Sequence, residues 1–123
     1  MRITLPSGTP AEIDTSVANP KMGLVIAPDI FGLRPLFADL VSRLANEWQM
    51  AVIAVDPFPG KELSPDVNER FAEMAKLDDN VHLRDLTEAA DALSVDRVGL
   101  IGFCMGGMYC FKAARSDRFA KIS

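Results

Sequence analysis

The stretch from Arg97 to Gly107 reads Arg-Val-Gly-Leu-Ile-Gly-Phe-Cys-Met-Gly-Gly, and it is the most informative part of the sequence. Val98 to Ile101 is a short apolar run, typical of a buried parallel strand. Gly102 and Gly106 flank Cys104 where this strand must turn into a helix. A nucleophile on such a tight turn is held at unfavourable backbone angles and needs small neighbours. The stretch therefore predicts a strand, a nucleophile elbow with cysteine at its tip, and a helix.

The predicted position of Cys104 favours a role as nucleophile. A thiol at a helix N-terminus lies near unpaired backbone N–H groups and the positive end of the helix dipole, which favour the thiolate. The N–H of Met105 would point to where an oxyanion forms. The alternative is a buried cysteine beside an ordinary glycine-rich turn, and the flanking strand and helix favour the catalytic interpretation. Cys110 lies six residues further along the same helix, on another face, so the two cysteines should not form a disulfide.

Length, composition and charge limit the class of protein. A chain of 123 residues that is 49% hydrophobic can bury one modest core, so we expect one domain at most. Thirteen basic and seventeen acidic residues, with no basic cluster, argue against nucleic acid or an anionic membrane as partner. The N-terminus breaks at Pro6 without a signal-peptide core, so we expect a cytoplasmic protein. We expect neither a cofactor nor a metal ion.

Upstream of the elbow, strands and helices alternate. Residues 3–13 alternate apolar and polar side chains around a turn rich in proline and glycine, which predicts an antiparallel hairpin. Met22–Ala27 and Ala51–Val55 are apolar runs typical of buried strands. The helix between them begins at Pro35, and two such strands joined by one helix make a parallel βαβ unit. The spacing of the apolar residues in this helix places Trp48 in the core.

Two further helices are predicted before the elbow and one after it. Ser64 should cap the first, whose apolar face carries Val67, Phe71, Met74 and Ala75. Residues 78–80 interrupt the pattern, and a second helix continues to Ser94. Met108 and Phe111 mark the helix that follows the nucleophile.

Three stretches carry a family resemblance: Ile26 to Gly32 (Ile-Ala-Pro-Asp-Ile-Phe-Gly), Val55 to Pro57, and Val98 to Gly107. In their order and spacing they resemble the dienelactone hydrolase family of the α/β-hydrolase superfamily, and cysteine in the elbow narrows the match to this family. The resemblance covers most of the chain from Met22 onward. It implies an α/β fold, an α/β-hydrolase-like three-layer sandwich whose mostly parallel sheet carries an N-terminal antiparallel hairpin.

The resemblance also implies roles for single residues. Cys104 falls on the nucleophile, and the backbone N–H groups of Ile30 and Met105 fall on the oxyanion hole. Asp29 stands where the family usually has a glutamate that engages the resting thiol. Arg70 lies near the position of an arginine that binds a substrate carboxylate; the alternative for Arg70 is an exposed, solvated charge on a helix.

Two catalytic groups of the family have no counterpart here. In the family an aspartate and then a histidine follow the nucleophile, each at the end of a later strand, whereas this chain continues for only nineteen residues after Cys104. The one histidine, His82, precedes the nucleophile, and we expect it on the surface or half buried. Asp117 follows too closely to be the orienting acid. We therefore expect residues 1–123 to be the N-terminal part of one domain, truncated after the elbow helix.

The resemblance implies a hydrolase that attacks a lactone or a carboxylic ester through Cys104 and releases the acyl group to water through the absent histidine. The alternatives are a non-catalytic thiol protein in which Cys104 responds to oxidation, and an inactive fragment. The expected partner is a small-molecule ester or lactone. Phe119 to Ser123 resembles the opening of a further parallel strand that is cut short. This would leave the strand Val98 to Ile101 as a sheet edge, so we also expect self-association through that edge.

Overall fold

A mixed sheet of six strands forms the centre of the computed structural model, which describes residues 1–62 and 64–123. The strands are β1 Arg2–Thr4, β2 Pro10–Asp14, β3 Met22–Ala27, β4 Ala51–Val55, β5 Arg97–Gly102 and β6 Lys121–Ile122. The helices are α1 Pro35–Trp48, α2 Val67–Ala75, α3 Asp79–Ala92 and α4 Met105–Ala113. Along the sheet the order is β1-β2-β4-β3-β5-β6. Strands β3 to β6 run parallel, and the hairpin β1–β2 joins β4 in antiparallel fashion.

The two faces of the sheet carry separate hydrophobic clusters, so the molecule has three layers. On one face α1 packs through buried residues such as Val41. On the other face α3 and α4 pack through Leu86 and Tyr109. Successive strand residues point to opposite faces, which is why Val25 belongs to one cluster and Ile26 to the other. The predicted α/β fold, the hairpin and the three-layer arrangement are confirmed.

Helix α2 differs from the prediction in its capping residue and in the face that it buries. Asp66, and not Ser64, is the cap: its carboxylate accepts the N–H groups of Asn68 and Glu69, while the Ser64 hydroxyl accepts the N–H of Asp66. The predicted apolar face is wrong in part: Val67 and Phe71 are 46% and 49% exposed, whereas Met74 packs against the core. The buried residue of α2 is Arg70.

The prediction that Trp48 lies in the core is also wrong, since Trp48 is 52% exposed. It is the last residue of α1, and the chain leaves the helix at Gln49 in the left-handed conformation. The helical period identifies the face of α1 on which Trp48 lies. It does not show whether the sheet covers the last turn of the helix. On α4, too, Met108 and Phe111 lie on the exposed side.

Strand β5 is not a sheet edge, contrary to the prediction. Its inner side pairs with β3, and on its outer side Gly99 and Leu100 pair with β6. The Ser123 carbonyl also accepts the N–H of Gly102. The residues after α4 therefore cover β5, and the exposed edge of the parallel sheet is the two-residue strand β6. Self-association through a strand edge stays a prediction, and β6 is now the strand concerned.

Candidate active site

The carboxyl ends of β3, β4 and β5 meet at one end of the sheet, because neighbouring parallel strands point the same way. Ligands of open α/β sheets bind outside this end. Each of the three strands is followed there by a segment that contributes to the candidate site. These are the loop 28–34 after β3, the turn 56–58 after β4, and the elbow at Cys104 after β5.

The elbow holds Cys104 in a strained conformation. Its backbone lies at φ 57° and ψ −108°, a combination that is rare for a residue with a side chain and costs on the order of 1–3 kcal/mol. Cys104 is the N-cap residue of α4, and it is exposed. A strained turn that presents an exposed thiol at a helix N-terminus is the geometry expected of a nucleophile elbow.

Two glycines allow this turn to close. A Cβ atom at Gly106 would lie 1.9 Å from the Ala27 carbonyl oxygen, and one at Gly102 would lie 2.2 Å from the Gly106 oxygen. The N–H of Phe103 donates to the same Ala27 oxygen at 3.1 Å. The elbow thus packs directly on the end of β3, and this contact leaves no room for side chains at either glycine.

Two backbone N–H groups concern the candidate site: that of Ile30, in the loop after β3, and that of Met105, at the start of α4. Within residues 1–62 and 64–123, neither the N–H of Ile30 nor that of Met105 donates to a protein acceptor. Met105 is the first residue of α4, where an N–H has no partner within the helix. Ile30 is buried in the loop after β3. These are the two N–H groups that the family resemblance assigns to an oxyanion hole.

The Asp29 carboxylate makes contacts within its own loop. One oxygen accepts the Phe31 N–H at 3.0 Å, and the other accepts Nη2 of Arg34 at 2.7 Å. In the part of the chain that the structure describes, no hydrogen bond joins Asp29 to Cys104. Sequence reasoning did not single out Arg34, because nothing in the sequence signals an ion pair across five loop residues.

Arg70 is buried, and its guanidinium reaches the loop that carries Ile30. Its Nε donates to the Ile30 carbonyl oxygen at 2.9 Å. Its central carbon lies 4.4 Å from the ring centroid of Phe58, which follows β4. Arg70 is only 1% exposed, so the alternative of a solvated surface charge is wrong. Its Nη2 is buried with no acceptor among the described residues, although a buried N–H of a cation normally has one.

His82 and Asp117 do not join the site. His82 is 3% exposed, so the expectation of a surface or half-buried residue is wrong. It packs edge-on against Tyr109, with ring centroids 4.5 Å apart. Burial lowers the pKa of His82 to about 4, and the charges of Asp85 and Asp79 oppose this only in part. Asp117 is exposed, beyond the end of α4.

Two clefts lie away from the elbow. Clefts of about 380 and 470 Å³ share Val17, Asn19 and Pro20, and lie at the end of the sheet where β3 and β4 begin. The exposed Trp48 lines the first of them. Among residues 1–62 and 64–123, no group of His, Cys, Asp and Glu side chains could hold a metal ion. No described helix combines the length and the apolar character that crossing a membrane requires.

The two cysteines should differ in reactivity. Cys110 is buried, its thiol donates to the Ser123 carbonyl oxygen at 3.5 Å, and burial raises its pKa. Cys104 is exposed at the tip of the elbow. In the folded chain we expect iodoacetamide to label Cys104 at least about 10-fold faster than Cys110, because a buried, protonated thiol reacts slowly. Peptide mass spectrometry across pH 6–9 measures both rates, and equal rates would contradict the prediction.

Comparisons with known proteins agree on one family. The sequence pattern described as "Dienelactone hydrolase family" matches residues 10–122. Carboxymethylenebutenolidase 2 from Cupriavidus pinatubonensis is 29% identical over 101 residues, which are 80% of this chain and 42% of that protein. The chain spans between 37% and 42% of the length of the curated relatives it matches.

Solved structures agree with this assignment. The structure described as "m3DLH" shares 29% sequence identity and a TM-score of 0.80, over 99% of this chain and 56% of that one. An α/β-hydrolase from a Penicillium species has a TM-score of 0.67 at 17% identity, over 99% of this chain and 43% of that one. At so low an identity the second match shows the fold alone, and that fold is the α/β-hydrolase fold.

Proposed function

The chain belongs to the dienelactone hydrolase family, and from this premise we propose that it provides the nucleophile and the oxyanion hole of a hydrolase of lactones or carboxylic esters. The observation that carries the proposal is the strained, exposed Cys104 at the end of β5, together with two backbone N–H groups, in the loop after β3 and at the start of α4, that have no acceptor among the described residues. This constellation is suited to acyl transfer, in which a nucleophile attacks a carbonyl and its oxygen becomes negatively charged.

In the proposed reaction the sulfur of Cys104 attacks the carbonyl carbon of the ester. A C–S bond forms, and the carbonyl electrons move onto the oxygen, which accepts the N–H groups of Ile30 and Met105. The C–O bond to the alkoxy group then breaks, and that group leaves as an alcohol with the thiol proton. A lactone opens in the same way but keeps its new hydroxyl group on the acyl chain. The product on the protein is a thioester at Cys104.

Release of the acyl group requires water and a base that activates it. The one histidine, His82, is buried between α3 and α4 and is not part of the site. We therefore propose that residues 1–123 form the N-terminal part of a domain of which the orienting acid and the base are further parts. The greater length of the relatives supports this proposal. The expected cytoplasmic location stays a prediction.

We expect an activated ester to acylate the chain once and not to be turned over. With p-nitrophenyl acetate, nitrophenolate should be released in a burst of at most one equivalent, and mass spectrometry should find the acetyl group on Cys104. Cys104→Ala should remove the burst, while Cys110→Ala serves as the matched control and should retain it. Sustained turnover would show that a residue of this chain acts as the base. If Cys104 is oxidised by peroxide but never acylated, the thiol-switch alternative is favoured.

We propose further that Arg70 selects a substrate with a carboxylate. The buried Nη2, which has no acceptor in the part of the chain that the structure describes, belongs to a side chain whose Nε contacts the Ile30 carbonyl, and it supports an anion as the partner of Arg70. An activated ester of a dicarboxylic acid should therefore acylate Cys104 faster than a neutral ester of equal size, by about 10-fold or more for a charge-assisted hydrogen bond. Arg70→Gln should abolish this preference. Because the ratio of the two rates is measured, a general loss of stability in the variant does not imitate the effect.

A further inference from the structure

The loop 28–34 is tied together by Asp29. Its carboxylate accepts the Phe31 N–H with one oxygen and the guanidinium of Arg34 with the other, while the Asp29 carbonyl accepts the Gly32 N–H at 3.0 Å. These contacts close a tight turn around Ile30 that leaves the Ile30 N–H without an acceptor in the described chain. The conformation of the Ile30 peptide thus depends on the carboxylate of Asp29.

Arg34 in turn connects this loop with the elbow. Its guanidinium carbon lies 5.7 Å from the ring centroid of Phe31 and 5.3 Å from that of Phe37. The Phe37 ring packs on Phe103, with centroids 5.6 Å apart, and Phe103 directly precedes the nucleophile. A planar guanidinium held by a carboxylate and two aromatic rings has little freedom to move. The Asp29–Arg34 pair is partly shielded, because the two side chains are 20% and 33% exposed.

We infer that Asp29 and Arg34 are positioning residues that fix the Ile30 N–H relative to the elbow. The inference rests on the proposed function, because it gives the pair a role in acylation of Cys104. It assigns Asp29 a different task from the thiol contact that the family resemblance implies. A thiol partner changes the reactivity of sulfur toward every electrophile. A positioning residue for an oxyanion donor affects only those reactions in which an oxyanion forms.

This difference can be measured with two reagents. An activated ester forms an oxyanion when Cys104 attacks it, whereas iodoacetamide alkylates the thiol by displacement and forms none. We would compare Asp29→Asn, Arg34→Gln and the double variant with wild type. The matched control is Asp39→Asn with Arg43→Gln, which removes an exposed ion pair of α1 with a 3.7 Å separation. Thermal unfolding of each variant shows that it is folded at the assay temperature.

The expected result is a split between the two reactions. Acylation by p-nitrophenyl acetate should slow by about 10- to 100-fold in each single variant, since a displaced oxyanion donor costs up to that much. Alkylation of Cys104 should stay within about twofold of wild type. The double variant should be no slower than the singles, because the two residues act as one unit. The control should match wild type in both reactions.

Two results would overturn the inference. Unchanged acylation in Asp29→Asn and Arg34→Gln would show that the pair does not position the donor, and a parallel change in acylation and alkylation would return Asp29 to the role of thiol partner. Hydrogen exchange of the amides in loop 28–34 separates this inference from the proposed function. If wild type itself is not acylated, the proposed function fails. In that case, faster exchange in both variants but not in the control still supports the Asp29–Arg34 pair as the element that orders the loop. Unchanged exchange would overturn the inference about the pair.

Discussion

The substitution Gly106→Ala is expected to lower the unfolding free energy by at least about 3 kcal/mol and to disrupt the conformation of the elbow. The new methyl group would meet the Ala27 carbonyl oxygen at 1.9 Å, and the carbonyl carbon at 2.6 Å. These atoms belong to the central strand of the sheet and cannot move as a flexible side chain would. The elbow must therefore separate from β3, which disrupts the Phe103–Ala27 hydrogen bond and the packing of α4.

The neighbouring glycine provides the control for this experiment. A Cβ atom at Gly107 would find only the Gly102 oxygen, at 3.9 Å, which is an ordinary contact. Gly107→Ala should therefore be neutral or should stabilise the chain by up to about 1 kcal/mol, because alanine favours a helix more than glycine does. Urea unfolding of the two variants beside wild type measures both changes. A similar loss in both variants would show that helix α4, and not the contact with Ala27, is sensitive to substitution.

Acidification should destabilise the fold through His82. The unfolded side chain takes up a proton near its ordinary pKa of 6.5, whereas burial lowers the pKa in the folded state to about 4. Between these values the unfolded chain binds more protons, so the unfolding free energy falls as the pH falls from about 6.5 toward 4. The contribution of His82 is complete above this range, and its loss amounts to about 3 kcal/mol.

The test compares the slope of unfolding free energy against pH in wild type, His82→Gln and His82→Phe. Both variants lack the titrating ring, so both should lose the part of the slope between pH 4 and 6.5 that His82 contributes, whatever their absolute stability. The slope from Asp14, Glu73 and Asp79, whose pKa values are lowered by hydrogen bonds, should remain. Burial raises the pKa of Asp56, which gives that carboxyl a dependence of opposite sign. Asp56 is present in all three proteins, so its effect cancels in the comparison. Equal slopes would show that His82 is accessible to protons in the folded chain.

The elbow could be predicted from the sequence because its tight geometry requires residues without side chains. Gly102 and Gly106 carry no side chain, and the close approach of the backbone around Cys104 requires this. The parallel strands could be predicted for a related reason, since a strand buried on both faces must be apolar throughout. Met22–Ala27 is such a run. In both cases a short local pattern is sufficient, and no partner from elsewhere in the chain has to be known.

The polar parts of the site could not be predicted in this way. Helical periodicity places apolar residues inside, so it selected Phe71 and left Arg70 outside, where most arginines lie. The burial of Arg70 depends on the ring of Phe58 and the carbonyl of Ile30, which come from two other segments. The contact of Arg34 with Asp29 likewise depends on the shape of one loop. Such contacts depend on tertiary structure, so they cannot be inferred from the spacing of residue types along the chain.

The central place of β3 has a consequence for how the chain folds during synthesis. The two neighbours of β3 in the sheet are far apart in sequence. Strand β4 follows soon after β3, but β5 comes much later, because Met22 pairs with Arg97 and Ala27 with Gly102. A ribosome therefore delivers β3, β4 and α1 long before the strand that pairs with the other side of β3. Until β5 emerges, the apolar edge of β3 has unpaired backbone groups, and such an edge is prone to pair with other chains. Pairing between segments so far apart in sequence is slow, so we expect the pairing of β3 with β5, the strand that leads to Cys104, to be a late step of folding.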